Sequence, residues 1–275
     1  MDPAVRAFHE LLRGPDATLD LGRAALAVAR IEYPQLDEAR ELVRLDSLAA
    51  RVGPGRRSEA GQTLQRLTRC LFDEEKFRGN AEEYYDPRNS CLNDVLDRKL
   101  GIPITLSVLT MEVGRRVGLD IVGVGLPGHF IVSASVGGGR SILLDPFNGG
   151  QVLTASSAAD VAARAVGRPV KIEEAHWAPC PRRQIVVRML RNLKTIYARN
   201  ADWDRALGVV DRLLLIDAET PMHLRDRGTV LVKAGRLWEG AAEWESYLSR
   251  YPSVPDAEAF RQELRRVRQE LGSRN

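Results

Sequence analysis

Three consecutive glycines, Gly137-Gly138-Gly139, separate two short β-type apolar runs in a chain whose remaining patterning is helical. No other feature narrows the possible folds as much. Upstream, Ile121 to Ser133 is rich in Val, Ile and Leu and is broken once, by Pro127-Gly128. Downstream, Ser141 to Asp145 is the second run, and Asp145-Pro146-Phe147-Asn148-Gly149-Gly150 ends it. Apolar runs bounded by turn residues read as strands, and a short glycine-rich connection makes them a hairpin. With the turn centred near Gly138, paired residues have numbers summing to about 275, so position 129 faces about position 146. His129 and Asp145 are then close neighbours across the ladder.

The flanking segments read as helices. Apolar residues recur near a 3.6-residue period over Thr18 to Glu32, and Leu36 to Val52 repeats the pattern after Tyr33-Pro34, which stops the first helix. Gly53-Pro54-Gly55 is a loop, and Ser58 to Leu71 is a third helix. Asp86 to Ser90 is a turn, with Ser90 as the expected N-cap of a short helix that ends near Gly101. Pro103 fits the first turn of the next helix. Thr105 to Val117 is apolar on most faces and should be buried, closing at Gly118. In the last third, Trp203-Asp204-Arg205-Ala206 recurs as Trp238-Glu239-Gly240-Ala241. The offset of about 35 residues lies close to the tetratricopeptide period of about 34, and a terminal helix, Ala257 to Leu271, follows.

Composition excludes several classes. The chain has 275 residues, 44% of them hydrophobic and 28% charged, enough for a real core. The net charge is +3 with the signs interspersed and no dense basic tract, so nucleic acid is not an expected partner. No stretch approaches the roughly 20 apolar residues of a spanning helix. Met1 to Gly14 carries charges throughout and lacks the apolar run of a secretory signal. Cys70, Cys91 and Cys180 are far apart and odd in number, which points to reduced thiols in a cytoplasmic protein. Lysine occurs only at 76, 99, 171, 194 and 233, an arginine bias that suggests a GC-rich bacterial genome. No cofactor or metal is expected: no His, Cys and carboxylate cluster is present, and Gly137 to Gly139 lacks the helix and lysine of a phosphate loop.

A histidine beside an aspartate is the base-and-orienter half of a nucleophilic triad; the alternative is a hydrogen-bonded structural pair. Candidates for the nucleophile are Cys91, at the start of a helix whose dipole favours a thiolate, and the hydroxyl of Thr105. The alternatives are a buried cysteine acting as a small hydrophobe and a capping threonine. Ser107, beside Thr105 at the start of the buried helix, is a further hydroxyl candidate with the same alternative of capping or core packing, and Cys70 and Cys180 have less support. Asn89, Asn93 and Asp94 are expected to cap and brace the turn. His9, His176 and His223 have no partner at a recognisable spacing and are expected at the surface or in linkers.

Several motifs in order carry a resemblance: Phe77-Arg78-Gly79-Asn80, Tyr84 to Ser90, Leu92 to Leu96, Gly101 to Ser107, Pro127-Gly128-His129-Phe130 and Asp145 to Gly150. Over roughly residues 18 to 250 the chain resembles the bacterial SirB-type family. The resemblance implies an α+β fold: a papain- or transglutaminase-like core with N-terminal helices, followed by an all-α tetratricopeptide-like region. The expected boundaries are 1–80 for a helical part packed on the core, 81–175 for the core and 182–272 for the helical region. His129 and Asp145 match the superfamily's His and Asp. Its cysteine opens the central helix, and that position falls at or near Pro103. The resemblance thus implies a transglutaminase-like protein without the usual thiol, acting as a regulator or adaptor that binds a peptide or protein segment. Asn89, Asn93, Pro103 and Asn148 are the candidate binding residues. The alternatives are an acyl transferase or amide hydrolase using His129 and Asp145 with Cys91 or Thr105, and a purely structural domain.

Overall fold

The structure, a computed structural model, describes residues 3–56 and 59–273. Contacts divide the chain into two units: residues 13–189, and the residues through Leu12 together with those from Leu190 on. The first helix, α1 (Pro3–Leu11), therefore clusters with the C-terminal helices rather than with the rest of the N-terminal segment.

In the unit 13–189, α2 (Leu21–Ala29) buries nearly every residue, and Asp20 caps it by accepting from the Arg23 amide at 3.0 Å. The expected start at Thr18 is instead a single 3₁₀ turn, Asp16–Thr18, because Asp20 takes the capping position. Asp37 caps α3 (Glu38–Val52) in the same way. Next comes α4 (Ala60–Thr68), which widens into a π-helical stretch, Arg69–Glu74. The expected start of that helix, Ser58, lies outside the described residues. Two short parallel strands, β1 (Arg78–Gly79) and β2 (Leu100–Gly101), flank α5 (Leu92–Arg98). The expected end of α5 near Gly101 comes earlier, at Lys99, which adopts a left-handed conformation with φ +61°.

The centre of this unit is α6 (Pro103–Arg116), buried at every position from Pro103 to Gly114. Beside it lies an antiparallel sheet of β3 (Ile121–Leu126), β4 (His129–Gly137), β5 (Arg140–Asp145) and β6 (Gln151–Leu153), in that order. The first apolar run is thus two strands. Pro127 and Gly128 fill the turn between them, with Gly128 at φ +68°, the left-handed value a Pro-Gly turn requires. In the β4–β5 ladder Val132 pairs with Leu144 and Ser135 with Ser141, one position from the register read off the triglycine turn. Helix α7 (Ala155–Val166) closes an apolar cluster with Val124, Leu126, Ile131 and Leu153. Asp16 accepts from the Arg182 and Arg183 amides, at 2.9 and 2.8 Å, and so starts α8 (Arg182–Arg199).

The second unit holds α1, the end of α8, then α9 (Trp203–Ile216), α10 (Pro221–Lys233), α11 (Leu237–Arg250) and α12 (Ala257–Ser273). Glycine sets the close approach of α10 and α11: a Cβ at Gly228 would meet the Trp244 ring at 2.4 Å. Trp244 also donates its indole N–H to the Arg225 carbonyl at 3.2 Å. Phe8 of α1 is fully buried, and the Arg212 guanidinium sits 5.8 Å from its ring centroid. His223, expected at the surface or in a linker, is instead fully buried, because the first turn of α10 faces inward.

Candidate functional site

His129 opens β4 and Asp145 ends β5, so the hairpin alone brings them together. His129 Nε2 lies 3.0 Å from each carboxylate oxygen of Asp145. Asp145 is fully buried, and the turn that follows satisfies it. The Asn148 side-chain amide donates to Oδ2 at 2.7 Å, and the Phe147 backbone amide donates to Oδ1 at 3.1 Å. Burial alone would raise this carboxyl, but the hydrogen bonds from His129 and Asn148 and the imidazole's charge hold it below the usual carboxylate range. An ionised Asp145 accepts from Nε2–H, which orients the ring. Behind the pair, the Arg188 guanidinium donates to the His129 carbonyl at 3.1 Å.

No hydrogen bond joins His129 to Cys91 or Thr105 among the described residues. Cys91 is fully buried at the N-cap of α5. Burial pushes its thiol well up, and nearby Asp94, Glu32 and Asp86 push the same way, against the expectation of a dipole-favoured thiolate. A helix of seven residues offers little dipole against that desolvation. Thr105, also buried, donates to the Asn89 carbonyl at 2.6 Å and accepts from the Ile102 amide at 3.2 Å, so its hydroxyl is committed to the start of α6. Ser107 is buried against the Phe130 carbonyl. Ser90 is not an N-cap. Asp86 caps the 3₁₀ turn Pro87–Ser90, and the Ser90 hydroxyl has no hydrogen-bond partner among the described residues. Cys180 docks through its backbone, which donates to the Gly123 carbonyl.

The candidate binding residues separate. Asn148 belongs to the His129–Asp145 pair. Pro103 occupies the first position of α6. Asn89 is a buried hub: its amide donates to the Glu83 carbonyl at 2.6 Å, and its side-chain oxygen accepts from Asn80 at 3.1 Å. Asn93 borders a different feature, a cavity of about 510 Å³ shared with Glu32, Tyr33 and Asp97. Among the described residues no group of His, Cys, Asp and Glu could hold a metal ion.

Three aromatic residues also stand at the site. The Phe147 ring stands edge-on to His129 at 5.9 Å and to Tyr84 at 6.3 Å, and Tyr84 meets Tyr85 at 5.4 Å. Tyr84 and Tyr85 are 36% and 51% exposed, so the row runs from solvent to the buried pair. Gly79 makes room for Phe147, since a Cβ there would meet the ring at 2.5 Å. The signal was the unusual Tyr-Tyr pair beside a buried Asn89, which the sequence alone does not connect to Phe147.

Residues 39–191 match the family model of the transglutaminase-like superfamily, and residues 193–265 match that of the tetratricopeptide repeat. A UPF0162 protein of Xylella fastidiosa (strain Temecula1 / ATCC 700964) is 38% identical over 266 residues, covering 94% of this chain and 93% of the relative. A UPF0162 protein of Vibrio cholerae serotype O1 is 28% identical over 249 residues, 90% of this chain and 92% of the relative. The fold is similar to that of menin, whose crystal structure is described as revealing the binding site for Mixed Lineage Leukemia protein; identity is 13% and the TM-score 0.50. That likeness covers 97% of this chain and 61% of the menin chain, so this chain spans less than two thirds of menin's length. With a transglutaminase-like core, tetratricopeptide helices after it and relatives that align along nearly its whole length, the chain belongs to the UPF0162 family of transglutaminase-like proteins.

Proposed function

We propose that this protein is a regulator or adaptor that binds a peptide or protein segment, its core keeping the histidine and aspartate of a transglutaminase-like site without a nucleophile. The observation that carries this reading is the His129–Asp145 pair, fully held by its neighbours yet joined to neither Cys91 nor Thr105. Among the described residues neither Cys91 nor Thr105 is hydrogen-bonded to the imidazole, so the oriented base has no attached group to form a covalent intermediate. The resemblance puts the superfamily's cysteine at or near Pro103, and proline cannot supply a nucleophile. The row Tyr85–Tyr84–Phe147 beside the pair is partly exposed, and clustered aromatics of this kind anchor protein contacts. In the helical unit, an apolar cavity of about 470 Å³ lined by Ala198, Trp203, Val230 and the charged Lys194, Arg199 and Asp226 offers a second binding surface. Three unpaired cysteines suit a reducing cytoplasm.

Two measurements test the reading. The full chain, assayed for amine incorporation into glutamine peptides and for amide hydrolysis, should show no turnover above that of His129→Ala. Turnover that needs His129 would replace the adaptor by an enzyme. Peptide display against the full chain should enrich sequences whose binding weakens at least tenfold in Tyr85→Ala. Absence of any enriched sequence would remove the peptide-binding reading.

A further inference from the structure

His223 takes no part in the site described above. It sits in the first turn of α10, fully buried, and neither ring nitrogen has a hydrogen-bond partner among the described residues. A neutral imidazole carries one N–H and one lone pair, and here both are removed from water without compensation. The carboxylates nearest to it are already engaged. Asp226, one turn further along α10, is held by Lys194 of α8 and by the neighbouring Arg225. Asp217, at the end of α9, accepts from the Thr220 hydroxyl. Arg191 and Lys194 of α8 present positive charge to the same place. A proton arriving on His223 would therefore enter a closed site with two cations facing it and no uncommitted anion among these groups.

We propose that His223 is an acid-responsive latch of the helical unit: neutral, it lets the first turn of α10 pack inward, and protonated, it loosens α10 from α9 and from the Lys194 side of α8. Burial disfavours the charged ring, Lys194 and Arg191 add to that, and Asp217 and Asp226 only partly offset it, so the folded unit binds this proton less readily than an ordinary histidine. The unfolded chain then carries the extra proton below the ordinary histidine value of about 6.5. The contribution is complete above that pH and is lost as the pH falls, by up to tenfold in the unfolding equilibrium per pH unit. Acid would thus release the Lys194–Asp226 contact that edges the apolar cavity between α8 and α10.

The test is hydrogen–deuterium exchange of the full chain at pH 7.5 and 5.5, corrected for intrinsic rates and read in peptides covering 221–233. About a tenfold loss of protection is expected in the wild type and none in His223→Leu. An equal loss in both, or no loss in the wild type, overturns the latch. Should His223→Leu fail to fold, His223→Gln replaces it, and the ring-proton resonances of wild-type His223 are titrated. A midpoint at or above 6.5 in the folded chain overturns the proposal, and one well below it, or no titration before the unit opens, upholds it.

Discussion

Asp145 shows how a single side chain can hold a site together. It is fully buried and accepts from His129, Asn148 and the Phe147 amide. Removing the imidazole leaves a carboxylate with fewer donors in a dry place. His129→Ala should therefore cost about 3–5 kcal/mol in urea unfolding, more than loss of a surface side chain would. Because the folded-state pKa of Asp145 is depressed, the pair contributes stability above the ordinary carboxylate range and loses it as the pH falls below about 4. The cysteines provide the opposite case. Cys91 and Cys70 are buried, and Cys180 is half-buried. In the native chain a thiol reagent should label Cys180 first and leave Cys91 unmodified until denaturant is added. Rapid labelling of native Cys91 would revive the thiol-enzyme alternative. That the pair forms was legible in the sequence, since both residues lie on one hairpin. The fate of Cys91 was not, because its burial depends on packing from remote segments that no local pattern encodes.

Among the elements, α10 and α11 show what spacing and packing each contribute. The Trp203 and Trp238 repeats announced helices at a tetratricopeptide-like interval, and the helices are there. The contact between α10 and α11 rests on Gly228, whose missing side chain admits the Trp244 ring. Replacing a helical glycine with alanine gains about 1 kcal/mol in propensity. A Cβ 2.4 Å from an indole costs more, about 1–3 kcal/mol of overpacking. Gly228→Ala should lower the melting temperature, whereas Gly272→Ala in α12, with nothing within 4 Å, should leave it unchanged or raise it slightly. Thermal melts of the two variants check both signs. The same logic applies at Ser90: serine before an apolar run is a fair N-cap, but Asp86 caps the preceding turn, and Cys91 is the boundary residue of α5.

For the molecule as a whole, the assignment of α1 was invisible in the chain. Its residues precede the transglutaminase-like match, yet Phe8 is buried against helices that come after Leu190. Phe8→Ala should cost about 3–5 kcal/mol, and the loss of exchange protection should fall in α9 rather than in the β3–β6 sheet. Equal loss in both regions would contradict the division into two units. No helix among the described residues is long and apolar enough to cross a membrane, in line with the absence of any long apolar run in the sequence.

The sequence by itself determined the hairpin, its register to within one position, the apposition of His129 and Asp145, the buried central helix and the paired helices of the last third. All of these rest on short-range periodicity and turn chemistry, which a chain carries locally. Only the tertiary structure decided that Cys91 is buried and Thr105 committed to the start of α6, that Phe147 and two tyrosines stand in a row beside His129, that α1 joins the far end of the chain and that His223 is sealed without a partner among the described residues. Those outcomes depend on desolvation and close packing between distant segments, and their free energies arise only when remote parts of the chain exclude water together.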